Sequence, residues 1–175
     1  LGDVYKRQGM NSKIRELSKI SYRSWSYNQT AVVANFKTSI NESCIKQTFT
    51  SIGPLALLPI NDRESTMIWS IDDDVSYKFL SMSDEEFTNE VVNKFGEQIG
   101  KLEMISKRQH FPLHHLSAKT FAKKSVFLVG DSAHHIHPLA GLGLNSGIGD
   151  VACLSELIES NGLENLEELI SAYNR

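Results

Sequence analysis

The sequence predicts an α/β fold in which a mostly antiparallel sheet layer accompanies part of an open α/β sheet. Three observations carry that expectation. Short strand-like segments at residues 30–36, 45–50, 55–60, 66–71 and 76–80 are separated by turn residues. A capped amphipathic helix starts after Ser83. Residues 126–150, VFLVGDSAHHIHPLAGLGLNSGIGD, then read as strand, acidic turn, Gly-rich loop and helix.

Composition sets the bounds. The 175 residues suffice for one domain or parts of two, and 41% hydrophobic with 22% charged residues is ordinary for a globular protein. A net charge of −3 and the lack of a basic stripe give no basis for nucleic-acid binding. Cys44 and Cys153 lack metal-like spacing and read as two reduced thiols. No apolar run approaches the ~20 residues that span a bilayer, and no signal peptide is visible, so the expected location is cytoplasmic. Residues 1–8 resemble a translated sequencing adapter and are set apart from the fold. At the other end the stripe Leu166, Leu169, Ile170 and Tyr173 runs to Arg175 without a Gly cap or Pro stop, so the chain is expected to be an internal fragment of a longer protein.

Taken in order, residues 12–17 read as a short helix. The strand-like segments follow, with Gly53-Pro54, Asn61-Asp62 and Asp72-Asp73-Asp74 as turns, the three aspartates forming a solvated hairpin tip. The following helix opens with a capping box, Ser83 with Glu86, and Met82 can staple onto Phe87. Phe87, Val91, Phe95 and Ile99 recur every four residues, and Gly100 supplies the stop. A strand region at 103–116 leads through a basic connector to a buried strand at 126–129.

That last strand runs into Gly130-Asp131, at the kind of strand end where open α/β sheets bind ligands. A carboxylate there can accept hydrogen bonds from sugar or ribityl hydroxyls; equally, it can cap the turn amides of Ala133 or His134. The glycines that follow, Gly141, Gly143, Gly147 and Gly149, precede or open a helix. A helix N-terminus leaves about four N–H groups unpaired and carries roughly half a positive charge. Gly141 and Gly143 allow a bulky ring or an anion close to that backbone. No metal site is expected from His110, His114, His115, His134, His135 and His137, because Pro138 forces extended geometry before it and no acidic or Cys partner recurs at ligand spacing. Ser132 lacks the G-x-S-x-G context of a hydrolase nucleophile.

The motif G-D-S-A-H followed by H-P-L-A-G-x-G-L-N-x-G-x-x-D resembles the second flavin-binding motif of class A FAD-dependent monooxygenases, which have the para-hydroxybenzoate hydroxylase fold. Within that group the ubiquinone-biosynthesis hydroxylases are the most similar. Residues 9–15, GMNSKIR, resemble the family's D-G-x-x-S-x-[VI]-R motif with Gln8 in place of its Asp. Residues 23–29, RSWSYNQ, resemble the strand entry that follows, and residues 53–59, GPLALLP, the subfamily's GPLAxLPL segment.

The resemblance implies an incomplete FAD-binding, Rossmann-like domain at residues 9–29 and 122–175, and a substrate-domain sheet and helix at 30–121. It implies FAD contacts from Gly130, Asp131, Pro138, Gly141, Leu142, Gly143, Leu144 and Asn145, with a helix beginning near Asn145 aimed at the flavin ring. Ser12 and Arg15 would contact FAD and assist use of NAD(P)H as co-substrate. No side chain is expected to be catalytic, because the flavin carries the chemistry. The implied substrates are O₂ and a polyprenyl phenol of ubiquinone biosynthesis, with access to a membrane surface or a biosynthetic complex. A related monooxygenase, halogenase or epoxidase, or a non-catalytic flavoprotein-like module, is the alternative. Leu142, Ser146 and Gly149 depart from the subfamily's usual Gln, Leu and Arg, and no G-x-G-x-x-G occurs. The isolated chain is therefore expected neither to bind FAD tightly nor to be active.

Overall fold

The computed structural model describes residues 9–39, 44–139 and 141–175. The chain divides into two compact units, one made of residues up to Tyr27 together with His114–Arg175, the other of Asn28–Leu113. The expectation for residues 1–8 lies outside the described residues.

The Asn28–Leu113 unit is an antiparallel sheet with two helices. Strand β1 (Tyr22–Thr38) enters it and pairs with β4 (Glu64–Asp72) from Gln29↔Asp72 to Lys37↔Glu64. Strand β3 (Gly53–Asn61) lies on the far side of β4, and β2 (Lys46–Thr50) beyond it. The short β5 (Leu102–Met104) pairs with the end of β1. Strand alternation sends Val32, Ala34 and Phe36 of β1, Leu55 and Leu57 of β3, and Met67, Trp69 and Ile71 of β4 into one core. Gly53 has φ +129, and a Cβ there would stand 2.0 Å from the Ser70 carbonyl oxygen, so the β3–β4 approach requires glycine.

Residues 76–80, expected as a strand, instead belong to helix α2 (Asp73–Ser81). The aspartates expected at a hairpin tip begin this helix: Asp73 and Asp74 sit in its first turn, where negative charge complements the helix dipole. Asp73 also accepts a hydrogen bond from Thr30 Oγ1 at 2.7 Å. Val75 and Phe79, four residues apart, then pack on the Trp69 cluster, with the Phe79 ring edge-on to Trp69 at 4.9 Å.

Helix α3 (Asp84–Phe95) has the expected capping box, in which Ser83 N–H donates to Glu86 Oε2 at 2.8 Å and Glu86 N–H to Ser83 Oγ at 3.2 Å. The hydrogen bonds from Ser83 hold the Glu86 carboxyl below its ordinary pKa. The helix stops at Gly96 (φ +74), before the expected Gly100, and Gly96–Ile99 continue as a 3-10 turn that still buries Ile99. Phe87 and Val91 are buried on the expected face. Arg108 binds the carbonyls of Phe79 and Met82 and the Asp84 carboxylate, tying the end of α2 to the start of α3.

The second unit contains the expected short helix, α1 (Lys13–Leu17), which Ser12 Oγ caps. Strand β6 (Gln109–Ala118) enters it, and its end pairs with β9 (His134–His135) through Leu116↔His135 and Ser117↔His134. The strand expected at 126–129 is shorter than its apolar run. Only β8 (Val126–Phe127) pairs as a strand, antiparallel to β7 (Ala122–Lys123), and Leu128 N–H adds one more bond in the same register, to the Phe121 carbonyl. Leu128 is buried with Ile20, Ala118 and Ala133, whereas Val126, Phe127 and Val129 are half-buried. Helix α4 (Leu142–Asn161) and helix α5 (Leu166–Tyr173) close the chain, with Leu169 and Tyr173 on the buried stripe expected for α5.

Candidate functional site

The site grows from one tight turn. Gly130 has φ +56 and opens a 3-10 turn, Gly130–Ser132, closed by Ala133 N–H donating to the Gly130 carbonyl at 2.8 Å. Of the two amides that Asp131 was read as able to cap, that of Ala133 is therefore satisfied by backbone. Ser132 Oγ donates to the Val129 carbonyl at 2.7 Å, which makes it a turn-stabilising hydroxyl. Asp131 projects outward with its side chain 51% exposed, and His135 Nδ1 lies 3.2 Å from its Oδ2 without forming a hydrogen bond. The carboxylate keeps acceptor positions open to a ligand.

Helix α4 starts three residues before Asn145, at Leu142, with Gly141 as its N-cap in the left-handed region (φ +65). Among the described residues no side chain caps this terminus and no acidic residue sits in the first turn, while Leu142 N–H donates to the Leu139 carbonyl at 3.3 Å. A Cβ added at Gly141 or Gly143 would meet no atom within 4 Å, so the backbone there opens onto free space. Gly141, Leu142, Leu144 and Asn145 are exposed, Leu144 by 74%, as is Pro138. Ala140 lies outside the described residues. An uncapped, uncompensated N-terminus of a 20-residue helix, bared by glycine, is suited to an electron-rich ring or an anion.

Two features hold the turn against this helix. Gly147 packs on Gly130 so closely that a Cβ on Gly147 would lie 3.2 Å from Gly130 Cα. One turn further on, Asp150 Oδ2 accepts the Gly130 N–H at 2.7 Å and faces His134 Nε2, also at 2.7 Å. A carboxylate only accepts, so His134 carries its proton on Nε2. The two-residue strand β9 holds His134 and His135, and residues 136–138 are not helical, so His134 and His137 share no helix face, as Pro138 implied.

Ser12 and Arg15 were expected to face FAD. Both are 3% exposed, and their polar groups other than Arg15 Nε are engaged with protein. Ser12 Oγ caps α1, while the Arg15 guanidinium donates to the carbonyls of Ser132 (2.8 Å), Met10 and Gly9 and lies over the Tyr22 ring. Arg15 thus ties residues 9–10 to the Gly130–Ser132 turn.

Sequence reading passed over His134 and Asp150 as a pair, although Asp150 is the last residue of the quoted motif and lies on the helix face of Gly147. It also missed an aromatic cluster. Trp25 stacks on His115 with centroids 3.8 Å apart, the Tyr27 hydroxyl lies 3.2 Å from His115 Nδ1, and Tyr27 meets His137 edge-on at 5.0 Å. Burial lowers the pKa of both histidines, with the nearby His135 adding to the effect at His115. No spacing rule links residues brought together from three separate segments.

A family model described as an FAD binding domain matches residues 8–175. The chain belongs to this family. Among its relatives, the ubiquinone hydroxylase UbiL of Rhodospirillum rubrum is 33% identical over 149 residues, covering 85% of this chain and 35% of the relative. The mitochondrial ubiquinone biosynthesis monooxygenase COQ6 of Xenopus tropicalis is 31% identical, covering 84% of this chain and 39% of the relative. The chain therefore spans little more than a third of these relatives. The fold matches the flavin-dependent halogenase CmlS with a TM-score of 0.72 at 17% identity, over 95% of this chain and 32% of that one. It also matches the p-nitrophenol 4-monooxygenase PnpA of Pseudomonas putida with a TM-score of 0.66 at 18% identity, over 95% and 44%. The α/β fold with a mostly antiparallel sheet is that of class A flavoproteins, as the sequence motifs implied.

Proposed function

We propose that this chain supplies the flavin-ring side of an FAD site in an NAD(P)H- and O₂-dependent hydroxylase of a polyprenyl phenol in ubiquinone biosynthesis. The observation that carries the reading is the open, uncapped start of α4 beside a half-exposed Asp131, in a chain of the FAD-binding family. The names of the two relatives above support the substrate class.

In this reading Asp131 accepts hydrogen bonds from the hydroxyl-bearing chain of FAD, with Gly130 shaping the turn. Pro138, Gly141, Leu142, Gly143, Leu144 and Asn145 border the ring. The first-turn N–H groups of α4 beyond Leu142 stabilise negative charge on that side of the ring, and as preorganised dipoles they do so with little reorganisation. Bound FAD supplies the redox chemistry, taking electrons from NAD(P)H and activating O₂ for transfer of a hydroxyl group to an electron-rich ring. The exposed Leu142 and Leu144 present apolar surface that helps keep water from the ring once it is bound. Arg15 acts from behind, by fixing the turn that carries Asp131, and Ser12 by capping the helix that carries Arg15.

Among the described residues no helix is long and apolar enough to cross a membrane. A polyprenyl substrate then requires contact with a membrane surface or a partner that delivers it. The test is turnover by the full-length protein with FAD, NADPH or NADH, and a short-chain prenyl phenol. The expected result is phenol-dependent NAD(P)H oxidation and a product heavier by one oxygen. FAD binding without phenol-stimulated O₂ consumption would contradict the hydroxylase reading.

A further inference from the structure

We propose that Asp150 is a positioning residue for flavin binding, acting as the brace that sets the Asp131 turn against the glycine-lined start of α4. The inference rests on the FAD reading above and concerns residues to which that reading gave no part. Asp150 sits on α4 eight residues beyond Leu142, on the face that Gly147 brings into near-contact with Gly130. A single oxygen, Oδ2, receives both the Gly130 amide and His134 Nε2, each at 2.7 Å.

The Gly130 amide opens the turn whose next residue is Asp131, and His134 begins the segment that leads to Pro138 and Gly141. The carboxylate therefore joins three segments at one point: the turn, the strand leading to the loop, and the helix on which the loop ends. Its side chain is only 23% exposed, and that of His134 is 19% exposed, so water substitutes poorly for either bond. The pair's effect on a ligand is to fix the spacing between Asp131 and the free amides of α4, and a misplacement of about an ångström at such a site is costly.

The test uses the full-length protein and measures FAD dissociation constant, visible flavin band shape and thermal stability together. Asp150→Ala removes the acceptor of both bonds and is expected to weaken FAD binding by about tenfold or more, and to alter the resolved shoulder of the flavin band. Asp150→Asn keeps the shape and one neutral oxygen acceptor, and should restore affinity to within about threefold of wild type. Ser83→Ala is the structural control. It removes the capping box of α3, in the Asn28–Leu113 unit, and should lower thermal stability without changing FAD affinity.

If Asp150→Ala loses stability like the control while affinity and band shape stay at wild-type values, the proposal is wrong. Where Asp150→Ala does not fold, His134→Ala removes one of the two bonds and should weaken FAD in the same direction; unchanged affinity in that variant also overturns the proposal. A wild-type protein that takes up no FAD would overturn the functional reading, and this inference with it. Wild-type uptake with unaffected variants overturns the inference alone.

Discussion

Arg15 shows how a motif residue can be committed to its own fold. It is nearly inaccessible, and its guanidinium is directed to the carbonyls of Gly9, Met10 and Ser132. Charged donors to backbone acceptors are worth about 1.5–3 kcal/mol each when buried, and removing them also strands the acceptors. Arg15→Ala is expected to destabilise the fold by about 3 kcal/mol, seen as a lowered midpoint in chemical denaturation. Arg15→Lys should recover only part of this, because one ammonium cannot reproduce the planar fork. Equal stability of wild type and Arg15→Ala would refute the structural role. The motif made Arg15 legible as important, but its partner at Ser132 lies 117 residues away and no local pattern announces it. Asp131 was legible in place, in the tight turn after the apolar run; the His134–Asp150 pair was visible in composition but not as a pair.

Among the elements, those with a local code were the most legible. The Ser83–Glu86 capping box, a feature typically worth about 1 kcal/mol, is present as read. The period-2 burial of β1, β3 and β4 follows directly from their sequences. Residues 76–80 misled because a short apolar alternation fits either period, and the acidic first turn with Val75 and Phe79 facing the core decided for helix. Helix α5 is fixed by tertiary bonds that no pattern reveals. Tyr173 donates to the Leu128 carbonyl at 2.9 Å, and Asn174 binds the Phe121 and Ala122 amides. Burial, together with the negative charges of Asp150 and Cys153, pushes the Tyr173 hydroxyl up to about 12. The folded state thus holds this proton more tightly than the unfolded state, whose tyrosine titrates near 10. Its stabilisation is complete below pH ~10 and is lost as pH rises through about 12. Thermal stability measured from pH 9 to 12 should fall more steeply for wild type than for Tyr173→Phe, which is less stable at neutral pH but lacks this titration. Parallel profiles would remove Tyr173 as the cause.

At the scale of the whole molecule, the two units differ in how they are built. The Asn28–Leu113 unit has a continuous apolar core around Trp69, Phe36 and Phe87, whereas in the other unit α4 buries no side chain along its 20 residues. That contrast explains why the sheet unit could be read from alternation, while the unit carrying Asp131 was recognised mainly through its motif. The same contrast places the candidate site where backbone and apolar surface stand open. The central claim is that Asp131 and the bare start of α4 hold FAD, and equilibrium titration of FAD into the full-length protein and its Asp131→Ala variant tests it most directly. The account predicts saturable binding with quenched flavin fluorescence in the wild type, and affinity weakened by about tenfold or more in the variant. Equal FAD affinity in the two proteins would contradict it.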